Sequence, residues 1–273
     1  MNLSQHLEII SASDPGMVRS HNEDSVASDA SNGLVVLADG MGGYNAGEVA
    51  SGMATTVVTT EVAQVMQQRQ PYAQDKDGNV VAAEMVREIV LKANTSVYQA
   101  AQSNPQYAGM GTTLVVALFY DNKMLVAHLG DSRLYRLRGE QFRQVTRDHS
   151  LLQEQIDSGL ITPEQAKHAA HKNLVTKALG IDPIVEPEIH EYEVQVGDVY
   201  LLCSDGLCDM VDDEDTSMTL QAMRGNLNLA AQQLVQMAND NGGKDNVSVI
   251  LVRVLREFPA PRGVMAKVFA WLK

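Results

Sequence analysis

Two apolar runs in this chain end in the same way, and that repetition constrains the fold more than any other feature. Leu34-Val35-Val36-Leu37-Ala38 runs into Asp39-Gly40-Met41-Gly42-Gly43, and Val199-Tyr200-Leu201-Leu202-Cys203 runs through Ser204 into Asp205-Gly206. A short uninterrupted apolar run reads as a strand buried on both faces, which leaves the carboxylate at its end. The glycines permit a sharp turn and let a ligand approach the backbone closely. A third acid, Asp245, stands at the entrance of the apolar run 247–255. Antiparallel pairing would therefore bring Asp39, Asp205 and Asp245 to one end of the fold.

The rest of the chain supplies the layers around these strands. Residues 7–12 and 17–18 read as short strands separated by the turn Asp14-Pro15-Gly16, and the polar cluster Arg19-Ser20-His21-Asn22-Glu23-Asp24 follows as a loop. Val49, Ala50, Met53, Val57, Val58, Val62 and Val65 recur at threes and fours and predict a helix over 47–68. A second helix over 82–103 carries Met85, Ile89, Ala93 and Val97 on one face. Between them Asp75-Lys76-Asp77-Gly78-Asn79 imitates a calcium loop, but Val86 stands where the closing glutamate belongs, so the segment reads as an ordinary loop.

The period then changes to that of strands. Runs 111–120 and 123–129 form one hairpin around Asp121-Asn122, and 133–137 with 141–145 form another. Between the hairpins, Asp131 and Ser132 follow Gly130 at a strand end. Residues 146–180 turn helical and polar again, with helix starts at Ser150 and at Thr162-Pro163-Glu164, and read as an insertion-like flap. A strand over 186–195, helices over 212–224 and 229–239, and the last strand complete an α+β pattern.

With 273 residues, 45% of them hydrophobic, the chain can build one large core, and we expect a single domain over 1–256 followed by a tail over 257–273. The tail mixes Pro259 and Pro261 with Val264, Phe269 and Trp271 and is expected to pack on the domain or fray. A formal charge of -13 argues against nucleic acid or an anionic membrane as the main partner, since both select basic surfaces. Cys203 and Cys208 are too few for a disulfide framework and are read as reduced. The first ten residues lack a leader pattern and no window approaches the length of a membrane span, so the expectation is a soluble cytoplasmic protein.

Carboxylates brought close together repel and raise one another's pKa unless a cation neutralises them. The sequence places no matching set of lysines or arginines beside these acids, and an all-oxygen donor set selects hard ions such as Mn2+ or Mg2+. Two such ions about 3.5–4 Å apart can share one aspartate and activate a water between them as a hydroxide that attacks phosphorus in line. The fork of Arg19, close in sequence to Glu23 and Asp24, suits two phosphate oxygens.

Arg19-Ser-His-Asn-Glu23-Asp24, Asp39-Gly40-Met41-Gly42-Gly43, Gly111-Thr112-Thr113, Gly130-Asp131-Ser132-Arg133, Ser204-Asp205-Gly206 and Asp245-Asn246, in this order, resemble the protein phosphatase 2C family of metal-dependent serine/threonine phosphatases. The resemblance spans residues 7–254. It implies a four-layer α-β-β-α sandwich of two antiparallel sheets flanked by helix pairs. It also implies hydrolysis of phosphoserine and phosphothreonine by a metal-bridging hydroxide, opposing a bacterial Ser/Thr kinase.

By that similarity Asp39 bridges two ions, the Gly40 carbonyl serves the second, and Asp205 and Asp245 hold the first. Glu23 and Asp24 act at or behind the second ion, Asp131 with Asp205 holds a third, weaker ion of the bacterial branch, and Arg19 grips the substrate phosphate. Met41 stands where eukaryotic members often have a histidine proposed to protonate the leaving group; His21, His128 and His149 are alternatives, each more simply read as structural. Residues 146–180 match the family's flap, to which we assign substrate selection. The expected partners are phosphorylated proteins and a kinase of the same pathway, for a monomer that does not insert in membranes. A non-catalytic phosphoprotein-binding module of the same fold is the competing reading, and an output domain that reverses phosphorylation of an anti-sigma antagonist is a third.

Overall fold

The computed structural model describes residues 2–43, 46–76, 78, 80–166 and 174–261. Its elements in chain order are β1 (Leu7–Asp14), β2 (Asp24–Asp29), β3 (Leu34–Met41), α1 (Ala46–Gln68), α2 (Ala82–Ser103), β4 (Gly111–Thr112), β5 (Leu114–Tyr120), β6 (Lys123–Leu129), β7 (Arg133–Arg138) and β8 (Gln141–Gln144). They continue with α3 (Leu151–Asp157), α4 (Pro163–Ala166), β9 (Glu188–Glu193), β10 (Val199–Cys203), α5 (Asp205–Cys208), α6 (Asp213–Ala222), α7 (Leu227–Asp240) and β11 (Val247–Val254).

The strands form two antiparallel sheets, one in the order β1-β11-β10-β7-β8 and one in the order β2-β3-β5-β6-β9 with β4 paired to β3. Side chains alternate across a strand, and the core divides accordingly into three apolar layers. Val35, Leu37, Val115, Phe119, Leu202 and Ile250 meet between the sheets. Val36, Ala38, Val116 and Leu118 face α1 and α2, while Leu201, Val249 and Leu251 face α5, α6 and α7. Full burial of each large apolar side chain contributes on the order of 2 kcal/mol. The result is the expected sandwich, with α1 and α2 covering one outer face and α6 and α7 the other.

Local chemistry agrees with the sequence at several ends. Asp121 and Asn122 both take positive φ, 46° and 56°, as a two-residue hairpin turn between β5 and β6 requires. Ser150 Oγ accepts the Gln153 N–H at 3.2 Å and starts α3, and Asp212 accepts the Asp215 N–H at 2.8 Å to start α6.

Three expectations change. Residues 17–18 are an exposed turn, not a strand, because Met17 and Val18 donate their N–H groups to the Gly243 carbonyl rather than to a ladder. Asp24 does not close a loop; it begins β2, whose register sets Asp24 opposite Asp39. The run 111–120 is two strands, interrupted at Thr113. Past β11, Phe258 is fully buried between the sheets and Ala260 is also buried. Residues 262–273 of the tail and 167–173 of the flap lie outside the described residues.

Candidate metal centre and phosphate site

The two sheets deliver their acids to one end of the sandwich. β2 and β3 belong to one sheet and carry Asp24 and Asp39; β10 and β11 belong to the other and are flanked by Asp205 and Asp245. Asp131 enters from the turn between β6 and β7. The grouping is visible in the electrostatics: burial first, then the charges of Asp24, Asp205, Asp131 and Asp245, hold the Asp39 carboxyl well above its ordinary range. Burial, followed by Asp131, Asp209, Asp245 and Asp24, pushes Asp205 up to about 8. Burial lifts Asp131 and Asp24 to about 6 each, with Asp148 adding to the rise at Asp131.

Backbone geometry holds this cluster open. The Asp39 N–H donates to Thr113 Oγ1 at 3.0 Å, and its carbonyl accepts the Thr113 N–H at 2.9 Å and the Thr112 hydroxyl at 2.8 Å. The interruption between β4 and β5 is thus the grip on Asp39. Gly40 has no room for a side chain: a Cβ would lie 2.1 Å from the Gly47 carbonyl oxygen and 2.6 Å from that of Glu23. The Gly40 N–H donates to the same Glu23 carbonyl at 3.1 Å, and the Glu23 carboxyl accepts the Gly47 N–H at the start of α1. Strand β3, helix α1 and the loop before β2 are therefore locked together around Glu23.

Asp24 stands between the sheets. Its Oδ2 accepts the Ser204 hydroxyl at 2.8 Å, while its Oδ1 is buried without a hydrogen-bond partner. An orphaned carboxylate oxygen among carboxylates with raised pKa values fits a cation, and the donors are all oxygen, as Mn2+ or Mg2+ prefers. Ser204 also accepts the Ser248 N–H at 3.0 Å, which ties β10 to β11 beneath Asp205.

Arg19 lies at the rim, with half of its side chain exposed, and donates through Nη2 to Asp245 Oδ2 at 2.6 Å. The acids therefore have one cationic neighbour that the sequence did not place against a particular carboxylate. Arg133 is the other arginine here, but it is committed elsewhere, making three contacts to the Asp148 carboxylate from Nε and Nη2 at 2.6–3.0 Å. Asp148 begins the flap. A cavity of about 470 Å³ opens beside Asp131 and Asp205, walled by Asp148 and Gln153 on the flap side and by Cys208 and Asp209 on the other.

The histidines do not replace Met41. His128 and His149 stack with centroids 4.7 Å apart and planes within 5°, and burial lowers the pKa of each. His149 Nδ1 accepts the Gly130 N–H at 3.2 Å, so its proton is on Nε2, 3.3 Å from Glu188; His128 Nε2 donates to the Arg147 carbonyl at 2.8 Å. With Glu188 these rings form a close His-His-Glu group. Parallel stacked rings cannot both aim an in-plane lone pair at one ion, so the group reads as structural. His21 is exposed on the Arg19 loop.

Of Asp39, Gly40, Asp205, Asp245, Asp131, Glu23, Asp24 and Arg19, which the sequence points to, the structure brings the acids and Arg19 to one end. Sequence reasoning assigns no role to Thr113, Ser204, Ser248 or Asn246. Their signal was a polar residue at the end of an otherwise apolar strand; Ser204 and Ser248 are fully buried.

The sequence pattern of the family described as Protein phosphatase 2C matches residues 18–244. The chain is 38% identical over 249 residues to the serine/threonine protein phosphatase PstP of Mycobacterium tuberculosis, covering 91% of this chain and 45% of that protein. It therefore spans about half the length of that relative. It is 36% identical to the serine/threonine phosphatase stp of Listeria monocytogenes, covering 88% of this chain and 92% of the relative. The crystal structure of the PstP catalytic domain in complex with two manganese ions superimposes with a TM-score of 0.79 at 37% identity, covering 92% of this chain and 99% of that one. With the fold, the family pattern and these relatives in agreement, the chain belongs to the protein phosphatase 2C family.

Proposed function

We propose that this protein is a metal-dependent phosphatase that hydrolyses phosphoserine and phosphothreonine in proteins. The observation that carries the reading is the convergence of Asp24, Asp39, Asp131, Asp205 and Asp245 from both sheets, with Arg19 at its rim. A binding-only module has no need for acids whose burial and mutual repulsion raise their pKa values.

In this reading Asp39, Asp205, Asp245 and the Gly40 carbonyl would hold two ions between them, with Asp39 shared. Glu23 stands by the second ion, Asp24 supports it from between the sheets, and Asp131 with Asp205 holds a third. Bound Mn2+ or Mg2+ supplies charge neutralisation and activates water for attack on phosphorus. The chain's own residues do the rest. Arg19 binds and orients the phosphate through its guanidinium fork. Thr112 and Thr113 hold the Asp39 backbone, and Ser204 fixes Asp24. The proton required by the leaving alkoxide does not come from His128 or His149, which are held as a stacked pair by the Arg147 carbonyl, the Gly130 N–H and Glu188.

Residues 146–180 form the flap that selects protein substrates. Those substrates are phosphoproteins made by a Ser/Thr kinase of the same pathway. In this reading the protein works as a cytoplasmic monomer. No helix among the described residues is long and apolar enough to cross a membrane. Phosphate release from a phosphothreonine peptide with Mn2+ tests the reading. Release should stop with EDTA and with Asp39→Asn; activity that survives both would overturn it.

A further inference from the structure

Asn246 follows Asp245 and is only 6% exposed, so each polar atom of its carboxamide needs a partner. Oδ1 accepts the Glu23 N–H at 2.7 Å, and Nδ2 donates to the Pro15 carbonyl at 2.9 Å and to the His21 carbonyl at 2.8 Å. Its own N–H donates to Asp245 Oδ1 at 2.9 Å, while the other oxygen of that carboxylate accepts Arg19. The Asn246 carbonyl presses on the Asp205-Gly206 turn, where a Cβ on Gly206 would lie 2.0 Å away.

The loop that carries Arg19 is thus tied on both sides of the arginine to one amide. A carboxamide is suited to this place because it offers an acceptor and two donors from one short side chain. A carboxylate there would keep the Glu23 contact but face two carbonyl oxygens and the neighbouring Asp245. An alanine would leave two carbonyls and one N–H without partners.

We propose that Asn246 is a positioning residue for phosphate recognition: its carboxamide holds the loop over 15–23 so that Arg19 stands over Asp245, without itself touching substrate. The proposal rests on the reading of Arg19 as the residue that grips the substrate phosphate. It differs from a general stabilising role because its effect on catalysis passes through Arg19.

A double-mutant cycle separates the two. Wild type, Arg19→Ala, Asn246→Ala and the double variant are compared on a phosphothreonine peptide with Mn2+, with inorganic phosphate as competitive inhibitor. Asn246→Ala is expected to raise KM and the phosphate inhibition constant together by about tenfold, with kcat changed by less than about threefold. In the Arg19→Ala background the same change should alter neither constant by more than about twofold. Additive losses in the double variant, or a fall in kcat at constant KM, would overturn the proposal.

If Asn246→Ala melts far below wild type, Asn246→Asp and Asn246→Ser are run through the same cycle under the same criterion. If the wild type releases no phosphate with Mn2+, the proposed function fails separately. The cycle is then read by calorimetry of inorganic phosphate binding to the Mn2+-loaded protein, where non-additivity supports the positioning role and additivity rejects it.

Discussion

Arg19 and Asp245 meet at 2.6 Å across 226 residues of sequence, and this contact joins the arginine proposed to bind phosphate to the carboxylate cluster. The guanidinium touches Asp245 through one nitrogen, which leaves the rest of its fork free to face a ligand. A lysine in its place would keep the charge and lose the planar pair of donors. Arg19→Lys should therefore raise KM for a phosphothreonine peptide by roughly tenfold while kcat falls less. Steady-state kinetics with saturating Mn2+ checks this; an unchanged KM would remove Arg19 from phosphate binding.

Protons and metal ions compete for the same oxygens. Asp24 and Asp131 are raised to about 6 and Asp205 to about 8, each above the ordinary carboxylate value of 3.8. For the metal-free protein, a carboxyl with a raised folded-state pKa contributes stability that is complete below the ordinary carboxylate value. That contribution is lost as pH rises through the folded-state values of about 6 to about 8. Metal-free protein should therefore lose thermal stability as pH rises above the ordinary carboxylate value, with the Asp24 and Asp131 contributions gone by about 6 and that of Asp205 by about 8, and Mn2+ should bind more tightly as pH rises, with release of protons. Calorimetry in two buffers of different ionisation enthalpy measures both. Affinity independent of pH, without proton release, would contradict the assignment of these acids.

Gly40 is held between two backbone segments. A Cβ there would lie 2.1 Å from the Gly47 carbonyl oxygen, whereas a Cβ on Gly43 would meet nothing within 4 Å. Gly40→Ala should lower stability by on the order of 3 kcal/mol or more, because backbone on both sides must move, and Gly43→Ala should be near neutral. Thermal denaturation of the two variants side by side provides the comparison.

Asp131 is buried and enters the cluster from the turn between β6 and β7, whereas Asp39 lies on β3 and Asp245 just before β11. Asp131→Ala is expected to reduce turnover by about tenfold while tight Mn2+ binding persists. A calorimetric titration that loses the tight sites instead would move Asp131 into the principal metal set.

The flap begins with a structural contact. Asp148 is one-tenth exposed and receives the Arg133 guanidinium, so Asp148→Ala should destabilise the fold by about 3 kcal/mol by stranding a largely buried charge. A test of substrate selection must keep Asp148. Replacing residues 152–170 with a short linker should impair hydrolysis of phosphoproteins more than that of a small aryl phosphate. Equal loss on both would remove the flap from substrate selection.

What the sequence determined by itself is the set of elements with strong periodicity and the acids at their ends. The apolar runs ending at Asp39 and Asp205 could only be buried strands, and the spacing of threes and fours over 47–68 and 82–103 could only be helices packed on a sheet. Asp-Gly recurring at those ends marked the acids proposed to bind metal before any distance was known. The tertiary structure alone decided β2, because Asp24-Ser25-Val26-Ala27-Ser28-Asp29 has one large apolar residue and becomes a strand through its ladder with β3. It alone decided the contacts of Asp24 with Ser204, Arg19 with Asp245 and Asn246 with Pro15, His21 and Glu23. Such bonds join single polar atoms across long stretches of chain and follow no period, so residue type can hint at them, but only the packing of the two sheets brings the partners within reach.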